Sequence, residues 1–292
     1  MKNYVVRGID KDKNFRFFVA ETTDIVNEAS KIHHCMPTAA AALGRLMTAT
    51  AMIGYMGKNE GDKVSVQIKG DGQIRDIIAV ADNKINLKGY ISNPVANPPL
   101  KPNGKLDVGG AVGRGKMIVI KDLGLRDSYV GQSELLNGEI AEDLANYFAR
   151  SEQQPSAVSL GVTVDVDYSV KAAGGFIIQV MPGAEDEAID LLENVLREAK
   201  PVSQLIAEGY TPEKILEEVF KDFEVSIIDK REINLVCDCS REKIEKVLIS
   251  LGKDELQDMI EKDKGAELVC HFCNTKYNFE EDELASLLKT ID

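Results

Sequence analysis

Four of the five cysteines of this chain lie in two close pairs near its C-terminal end. Cys237 and Cys239 form a C-x-C motif, Cys270 and Cys273 form a C-x-x-C motif, and thirty residues separate the motifs. Two short loops of paired cysteines can supply the four ligands of a tetrahedral zinc ion, so this spacing predicts a structural zinc site. A unit of about 60 residues rarely folds on its apolar core alone. The site therefore constrains how the last part of the chain can fold.

Other interpretations of these cysteines fit the sequence less well. Buried thiols are common, but chance does not pair four of them in this way. A dithiol oxidoreductase that uses Cys270 and Cys273 needs a βαβ context, and residues 261–269 predict only a charged helix end and a short strand. A catalytic zinc needs an open fourth position, which four cysteines would fill. His271 lies between two better ligands and is expected to point outward.

The C-x-C motif also indicates redox chemistry. Two cysteines one residue apart can close only a small, strained disulfide ring, and strained disulfides are easily reduced. A bound metal holds its sulfur ligands as thiolates, which are the reactive form of cysteine. We therefore expect oxidation to remove the ligands, release zinc and unfold a unit whose stability depends on the metal.

The charge of the chain argues against one class of function. The net charge is −13, and residues 182–236 carry 14 Asp and Glu against 6 Lys and Arg. Binding to nucleic acid needs a basic surface, so no nucleic-acid partner is expected. No stretch approaches the ~20 apolar residues that span a bilayer, and residues 1–12 lack the apolar run of a signal peptide. The sequence therefore predicts a cytoplasmic protein without a membrane partner.

The periodicity of apolar residues predicts an α+β fold in three parts. Residues 1–181 form a core domain in which a sheet packs with helices, residues 182–231 form an amphipathic helical linker, and residues 232–292 form a small zinc-binding redox-switch domain. The expected strands cover 4–8, 15–20, 64–69, 117–121, 157–170 and 175–180; the expected helices cover 24–32, 38–56, 140–151, 240–251, 254–262 and 280–288. The helix over 38–56 is small and apolar on most sides, so it should be buried against a sheet.

The predicted linker carries apolar residues at helical spacing. The residues of this linker stripe that we consider further are Ile189, Leu192, Leu196, Ile215 and Val219. Helices this short are marginal on their own, so they need an apolar surface to lie on, and the sheet domain is the obvious one.

Three other motifs have weaker functional interpretations. Gly109–Lys116 is rich in glycine but matches no phosphate-binding pattern, and it precedes a strand, so a tight turn or bulge is expected. Residues 33–35 read His-His-Cys. Neighbouring residues do not face the same way, so Cys35 is expected to be a core thiol. Asp165 and Asp167 alternate on a predicted strand and are expected on its solvated face.

The order of motifs along the chain resembles a known family. A C-x-C motif, about thirty residues and a C-x-x-C motif at the C terminus resemble the redox-regulated bacterial heat-shock holdases named for a mass of about 33 kilodaltons; this chain has a mass of 32.0 kDa. Further segments agree with the family: Lys121–Gly124, Ser151–Ser156, Ala173–Phe176 and Gln179–Ala184. The resemblance runs from the first strand to the last helix.

The resemblance implies an ATP-independent chaperone that is not an enzyme and is inactive while reduced and bound to zinc. Oxidants would convert the four cysteines to the disulfides Cys237–Cys239 and Cys270–Cys273 and release zinc. The linker would then unfold, the protein would form a homodimer, and captured clients would later pass to ATP-driven foldases. The sequence does not fix the client-binding surface, for which the linker stripe supplies candidates. A thiol-disulfide oxidoreductase and an RNA-binding factor with a zinc ribbon are the alternative hypotheses.

Overall fold

The computed structural model describes residues 3–291. The chain divides into two compact units, one that ends at Val236 and one that begins at Cys237. The first unit contains both the predicted core domain and the predicted linker, and the second begins five residues after the predicted start of the zinc domain. The division of the first unit into core and linker stays a prediction.

The first unit is built on two antiparallel sheets. Its strands are β1 (Tyr4–Ile9), β2 (Phe15–Glu21), β3 (Lys63–Gly70), β4 (Asp76–Asp82), β5 (Asn86–Ile91), β6 (Gly115–Asp122), β7 (Tyr129–Glu134), β8 (Ser156–Val164), β9 (Val170–Val180), β10 (Ser226–Glu232) and β11 (Asn234–Leu235). The five-stranded sheet has the order β10-β1-β2-β9-β8 and the six-stranded sheet has the order β11-β5-β4-β3-β6-β7. All neighbours pair antiparallel except β11, which pairs parallel to β5.

Helices connect and cover these sheets. They are α1 (Thr23–His33), α2 (Pro37–Tyr55), α3 (Val108–Val112), α4 (Ala141–Ser151), α5 (Asp186–Glu198), α6 (Val202–Ala207) and α7 (Pro212–Glu218), followed by a 3-10 turn over Lys221–Phe223. Together with the strands they confirm the predicted mixture of sheet and helix in this part of the chain.

Helix α2 is the centre of the first unit. It begins at Pro37, where the missing N–H of proline costs no helical hydrogen bond. Small residues such as Ala39 and Ala40 let the backbone lie close to its neighbours, and nearly every side chain of the helix is buried. The helix packs against β4 and β5 of one sheet and against β8 and β9 of the other. The predicted buried helix is therefore confirmed, with a sheet on two sides.

The five-stranded sheet is apolar on both faces. Successive residues of a strand point to opposite faces, and in β1 and β2 Val5, Phe18 and Ala20 belong to the same core as α2. We call the opposite side the outer face; its buried residues are Tyr4, Val6, Phe15, Phe17, Val19, Ala172, Phe176 and Ile178. Helices α5, α6 and α7 cover the outer face, as expected for short helices that need an apolar surface.

Two expectations about local structure and one about the linker differ at least in part from the structure. The predicted helical linker ends in a strand, because β10 pairs antiparallel with β1 and thereby closes one edge of the sheet. Strand β8 stops at Val164, so Asp165 and Asp167 lie in the turn before β9 instead of on a strand. The glycine-rich segment starts with the short helix α3, whose N-cap Asp107 accepts a hydrogen bond from Gly110 N at 3.0 Å.

The second unit is small. It contains α8 (Arg241–Leu251), α9 (Lys253–Asp258), a π-helical turn (Met259–Asp263), the antiparallel strands β12 (Gly265–Val269) and β13 (Lys276–Glu280), and α10 (Glu281–Leu288). The fully buried residues of its apolar core are Leu248, Leu256, Phe279 and Leu284. The three predicted helices are confirmed. A unit with so small an apolar core usually needs a further stabilising element, such as a disulfide or a bound metal.

The close packing of α2 predicts an unusual effect of one substitution. A Cβ atom at Gly44 would lie 2.4 Å from Val26 Cγ1 and 2.9 Å from Val162 Cγ2. Alanine in place of a helical glycine normally stabilises by about 1 kcal/mol. In Gly44→Ala we expect the steric overlap to reverse the sign and lower the free energy of unfolding by about 1–3 kcal/mol, measured by urea denaturation.

Val26→Ala is the control for this prediction, because it removes the nearest of the two obstructing side chains. The double variant should lose clearly less stability than the two single losses added together. Strictly additive losses would contradict the packing explanation.

Candidate metal centre

The second cysteine pair lies on the turn of a hairpin. Cys270 follows β12, and its N–H donates to Thr275 O at 2.9 Å, while Asn274 N donates to Cys270 O at 2.8 Å. Asn274 has a φ of 57°, a left-handed conformation that asparagine adopts more readily than most residues. These bonds fold the six residues between β12 and β13 into a tight knuckle, as the C-x-x-C motif predicted.

The first cysteine pair precedes α8. Ser240, directly after Cys239, caps this helix by accepting a hydrogen bond from Lys243 N at 3.4 Å. The ammonium group of Lys243 donates to Asp238 O at 2.7 Å and to Asp238 Oδ2 at 2.6 Å. The residue between Cys237 and Cys239 is therefore attached to the first turn of α8, which fixes the segment that presents both thiols.

The two motifs come together in one cluster. All four Sγ atoms lie within 4.8 Å of one another. The Sγ atoms of Cys237 and Cys270 are 3.6 Å apart, and those of Cys239 and Cys273 are 3.4 Å apart. A tetrahedral zinc ion with Zn–S bonds of about 2.3 Å places its sulfurs about 3.8 Å apart. The four cysteines thus lie close enough to hold a metal ion, and the size of the cluster suits zinc.

All four cysteines of the cluster are free thiols. The Sγ–Sγ distances of 3.6 Å and 3.4 Å greatly exceed the S–S bond length of about 2.0 Å. The two Sγ–Sγ hydrogen bonds, Cys237 with Cys270 and Cys239 with Cys273, join one motif to the other.

Two hydroxyl groups contact the sulfurs from β13 and the turn before it. Tyr277 Oη donates to Cys239 Sγ at 3.2 Å, and Thr275 Oγ1 lies 3.1 Å from Cys273 Sγ. Burial raises the pKa of the Cys273 thiol, but its hydrogen bonds with Thr275 and with Cys239 outweigh burial and lower that pKa to about 7. Burial raises the pKa of Cys237. The cluster thus contains thiols of unequal acidity even without a metal.

Thr275 and Tyr277 are site residues that the sequence reasoning missed. The signal was present, because they lie two and four residues after Cys273 and alternate residues of a strand share a face. The direction of that face depends on the hairpin turn, and the turn was not predicted in detail.

The three histidines and Cys35 lie outside the cluster of four cysteines. His271 is exposed, as expected, although it shares the knuckle. In the first unit, His33 Nε2 lies 2.9 Å from Gly89 O. Cys35 is buried, and burial raises its pKa to about 12, which confirms the predicted core thiol.

The knuckle also bears on the oxidoreductase hypothesis. Cys270 and Cys273 connect two antiparallel strands and do not begin a helix after a strand. The βαβ setting that a dithiol oxidoreductase needs is therefore not formed by the residues around this motif.

Comparison with known proteins identifies the family. A family model described as Hsp33 protein matches residues 3–280. The chain belongs to the Hsp33 family. This confirms the resemblance that the cysteine motifs indicated.

Proteins from several bacteria show how far the likeness to Hsp33 extends. The 33 kDa chaperonin of Clostridium beijerinckii is 50% identical over 289 residues, which cover 99% of both chains. The 33 kDa chaperonin of Alkaliphilus oremlandii is 50% identical over 293 residues, which cover 100% of this chain and 98% of the relative. The crystal structure of the 33 kDa chaperonin (heat shock protein 33 homolog) of Thermotoga maritima superposes with a TM-score of 0.92 at 38% identity and covers 99% of both chains.

Membership of the Hsp33 family supports a chaperone role. The relatives are named chaperonins, and Hsp33 is a chaperone family without enzymatic activity, which confirms the expectation that the chain is not an enzyme. The structural likeness confirms the α+β fold class with its cysteine cluster. Among residues 3–291, no helix is long and apolar enough to cross a membrane.

The hydroxyl of Tyr277 yields a test of the metal centre. A donor to a ligating thiolate disperses its charge and orients it, and loss of such outer partners typically costs about 10–100-fold in metal affinity. We expect Tyr277→Phe to bind zinc at least about tenfold more weakly, measured by competition with a chromogenic chelator at fixed pH.

Tyr210→Phe serves as the matched control, because it removes the same atom from a tyrosine whose hydroxyl donates to Glu218 Oε2 at 2.8 Å in the first unit. Its zinc affinity should equal that of the unchanged protein. Equal affinities in all three proteins would show that the Tyr277 hydroxyl does not support the metal centre.

Proposed function

We propose that this Hsp33 chain is a cytoplasmic, ATP-independent holdase that oxidation activates. The observation that carries the proposal is the cluster of four thiols within 4.8 Å, located in a unit with only a small apolar core. In the reduced protein the cluster holds one zinc ion through Cys237, Cys239, Cys270 and Cys273, and the chaperone is inactive.

Zinc suits this donor set better than harder metals do. Four soft thiolates in a compact tetrahedral arrangement favour zinc or iron–sulfur chemistry, whereas oxygen ligands suit magnesium and calcium. Zinc bound to four cysteines has no open position for catalysis, so it would contribute folding energy, about 10–16 kcal/mol in comparable small sites.

Oxidation converts this stabilising centre into a switch. Two molecules of a two-electron oxidant such as hydrogen peroxide accept four electrons from the four thiolates and are reduced to water. The family resemblance supports Cys237–Cys239 and Cys270–Cys273 as the disulfides that form. Because disulfide sulfur is a poor ligand, zinc leaves, and the second unit loses the link on which its fold depends.

The chain itself would carry this change from the second unit to the linker, which belongs to the first unit. Val236 N donates to Leu87 O at 2.9 Å, and the next residue is the first cysteine of the cluster. Helices α5, α6 and α7 have six to thirteen residues each, so their stability comes from contact with the outer face. Their segment also carries an excess of acidic residues that repel one another once the contacts weaken.

The linker stripe supports a role in client binding only after the linker has moved. In this structure Leu192 and Ile215 are buried on the outer face, and Ile189, Leu196 and Val219 are partly buried there. Release of α5 to α7 would expose both the stripe and the outer face, which together form a large apolar surface for unfolding proteins. We further propose that the oxidised chains form a homodimer and that bound clients pass to ATP-driven foldases, without a nucleic-acid or membrane partner.

Light scattering of a heat-denatured client, recorded together with zinc release, tests this function. We expect the reduced, zinc-loaded protein not to protect the client, and the oxidised protein to release one zinc ion per chain and then suppress aggregation. Cys35→Ser is the control, since its thiol lies outside the cluster and should leave the switch intact.

Zinc release without any gain in protection would contradict the switch and leave the cluster as a structural link. Catalytic turnover in an insulin-reduction assay would instead favour the oxidoreductase alternative.

Two adjacent leucines allow the role of the linker to be tested separately. Leu192 is 4% exposed against the outer face, whereas Leu191 is 38% exposed. Leu192→Ala should weaken the contact of α5 with the sheet by about 2–5 kcal/mol. We therefore expect this variant to protect the client partly without oxidant and with zinc still bound, and Leu191→Ala to remain inactive. Equal behaviour of the two variants would contradict release of α5 as the activating step.

A further inference from the structure

A cavity of 410 Å³ lies in the first unit beside the C-terminal end of α2. Its basic lining residues are Arg16, Lys58, Lys63 and Lys121, and its larger apolar lining residues are Ile53, Met56, Val64 and Leu123. The volume falls within the range of about 300–1,000 Å³ that is usual for small-molecule sites, and such sites combine apolar walls with a few polar groups.

Arg16 is the most unusual of these residues. It lies on β2, and one Nη atom donates to Gln179 Oε1 at 2.7 Å, while the buried Nε atom has no hydrogen-bond partner. Within residues 3–291, no carboxylate forms an ion pair with Arg16. Burial and the nearby charge of Arg7 both lower the pKa of Arg16. Arg16 is half-buried, so its charge is only partly hydrated, and a negatively charged group in the cavity would stabilise it.

The other charges of the lining leave an excess of positive charge. Lys58 and Lys63 form no ion pair in the described part of the chain. Of the two carboxylates in the lining, Glu152 pairs with Lys121 and accepts a further hydrogen bond from Tyr147 Oη at 2.9 Å.

The second carboxylate of the lining, Asp62, is used by the loop after α2. It accepts hydrogen bonds from Lys58 N and Asn59 N, each at 3.0 Å. The carbonyl end of α2 would itself repel an anion, but Met56 N and Gly57 N cap its last carbonyl groups. Four cations against two carboxylates therefore leave the lining with a net positive charge.

We propose that this cavity binds a small organic anion, with a phosphate or carboxylate group on Arg16 and Lys63 and an apolar body against Ile53 and Met56. The guanidinium group suits both head groups, because its planar donors match two oxygens at once. The site is independent of the cysteine cluster, and it requires no covalent step.

The reduced, zinc-loaded full chain is titrated with phenyl phosphate, benzoate and benzyl alcohol. Binding is measured by calorimetry and from the arginine Nε–Hε signals in NMR spectra. One of the two anions should bind with a stoichiometry of one per chain and shift the Arg16 signal. The Arg45 signal is the internal control and should not move, since the Arg45 guanidinium pairs with Glu139 away from the cavity. A preference for phenyl phosphate or for benzoate identifies the head group.

Variants of the charged residues then test which side chains bind the anion. Arg16→Gln should weaken binding at least about tenfold, as expected for loss of a hydrogen bond to a charged group. Lys63→Gln should weaken it less, and Lys116→Gln, which removes a surface charge that faces Glu134 outside the cavity, should not change it. If Arg16→Gln does not fold, the shift of the Arg16 signal in the unchanged protein decides the question. Failure of both anions to bind with a Kd of about 1 mM or tighter, or equal binding of benzyl alcohol, would overturn the proposal.

Discussion

The five-stranded sheet must be covered on both of its faces, and the rest of the structure depends on this requirement. One face is covered by α2, a helix of nineteen residues that is buried between the two sheets. The outer face is covered by three short helices from later in the chain. Short helices gain little from their own hydrogen bonds, so the same apolar contact that hides the outer face also maintains the helices. The three helices therefore stay folded only while they cover the outer face, and the outer face is exposed when they unfold.

The cysteine cluster imposes a different constraint on the second unit. Four thiols so close together cannot all become thiolates without a cation, since like charges at this distance repel strongly. A bound metal removes that repulsion and links the segment before α8 to the knuckle between β12 and β13. The hydroxyl group of Tyr277 donates to Cys239 Sγ, and the hydroxyl group of Thr275 lies against Cys273 Sγ. In the function proposed above, the thiolates that would hold the metal are also the groups that an oxidant would attack.

Much of this arrangement could be predicted from the sequence, and the failures have physical reasons. Local signals were sufficient for α2, with its proline start, and for the clustering of the four cysteines, which the spacing within the two motifs favours. Strand β10 was missed because it follows helical segments and finds its partner β1 more than 200 residues away, a contact that no local pattern encodes. The cavity at Arg16 was missed for the same reason, since its lining comes from five separated segments of the chain and β2 looks like an ordinary alternating strand.

The pairing of β10 with β1 gives the linker a second kind of contact with the sheet. Besides three amphipathic helices, the segment after β9 contributes an extended strand that satisfies the backbone groups along the edge of β1. An unfolded polypeptide offers the same two things, apolar side chains and unpaired backbone. If client proteins bind the outer face, as proposed above, they have to displace the linker, whose effective concentration is high because it belongs to the same chain. Unfolding of the second unit would then leave the linker held at one end only and weaken its competition with clients.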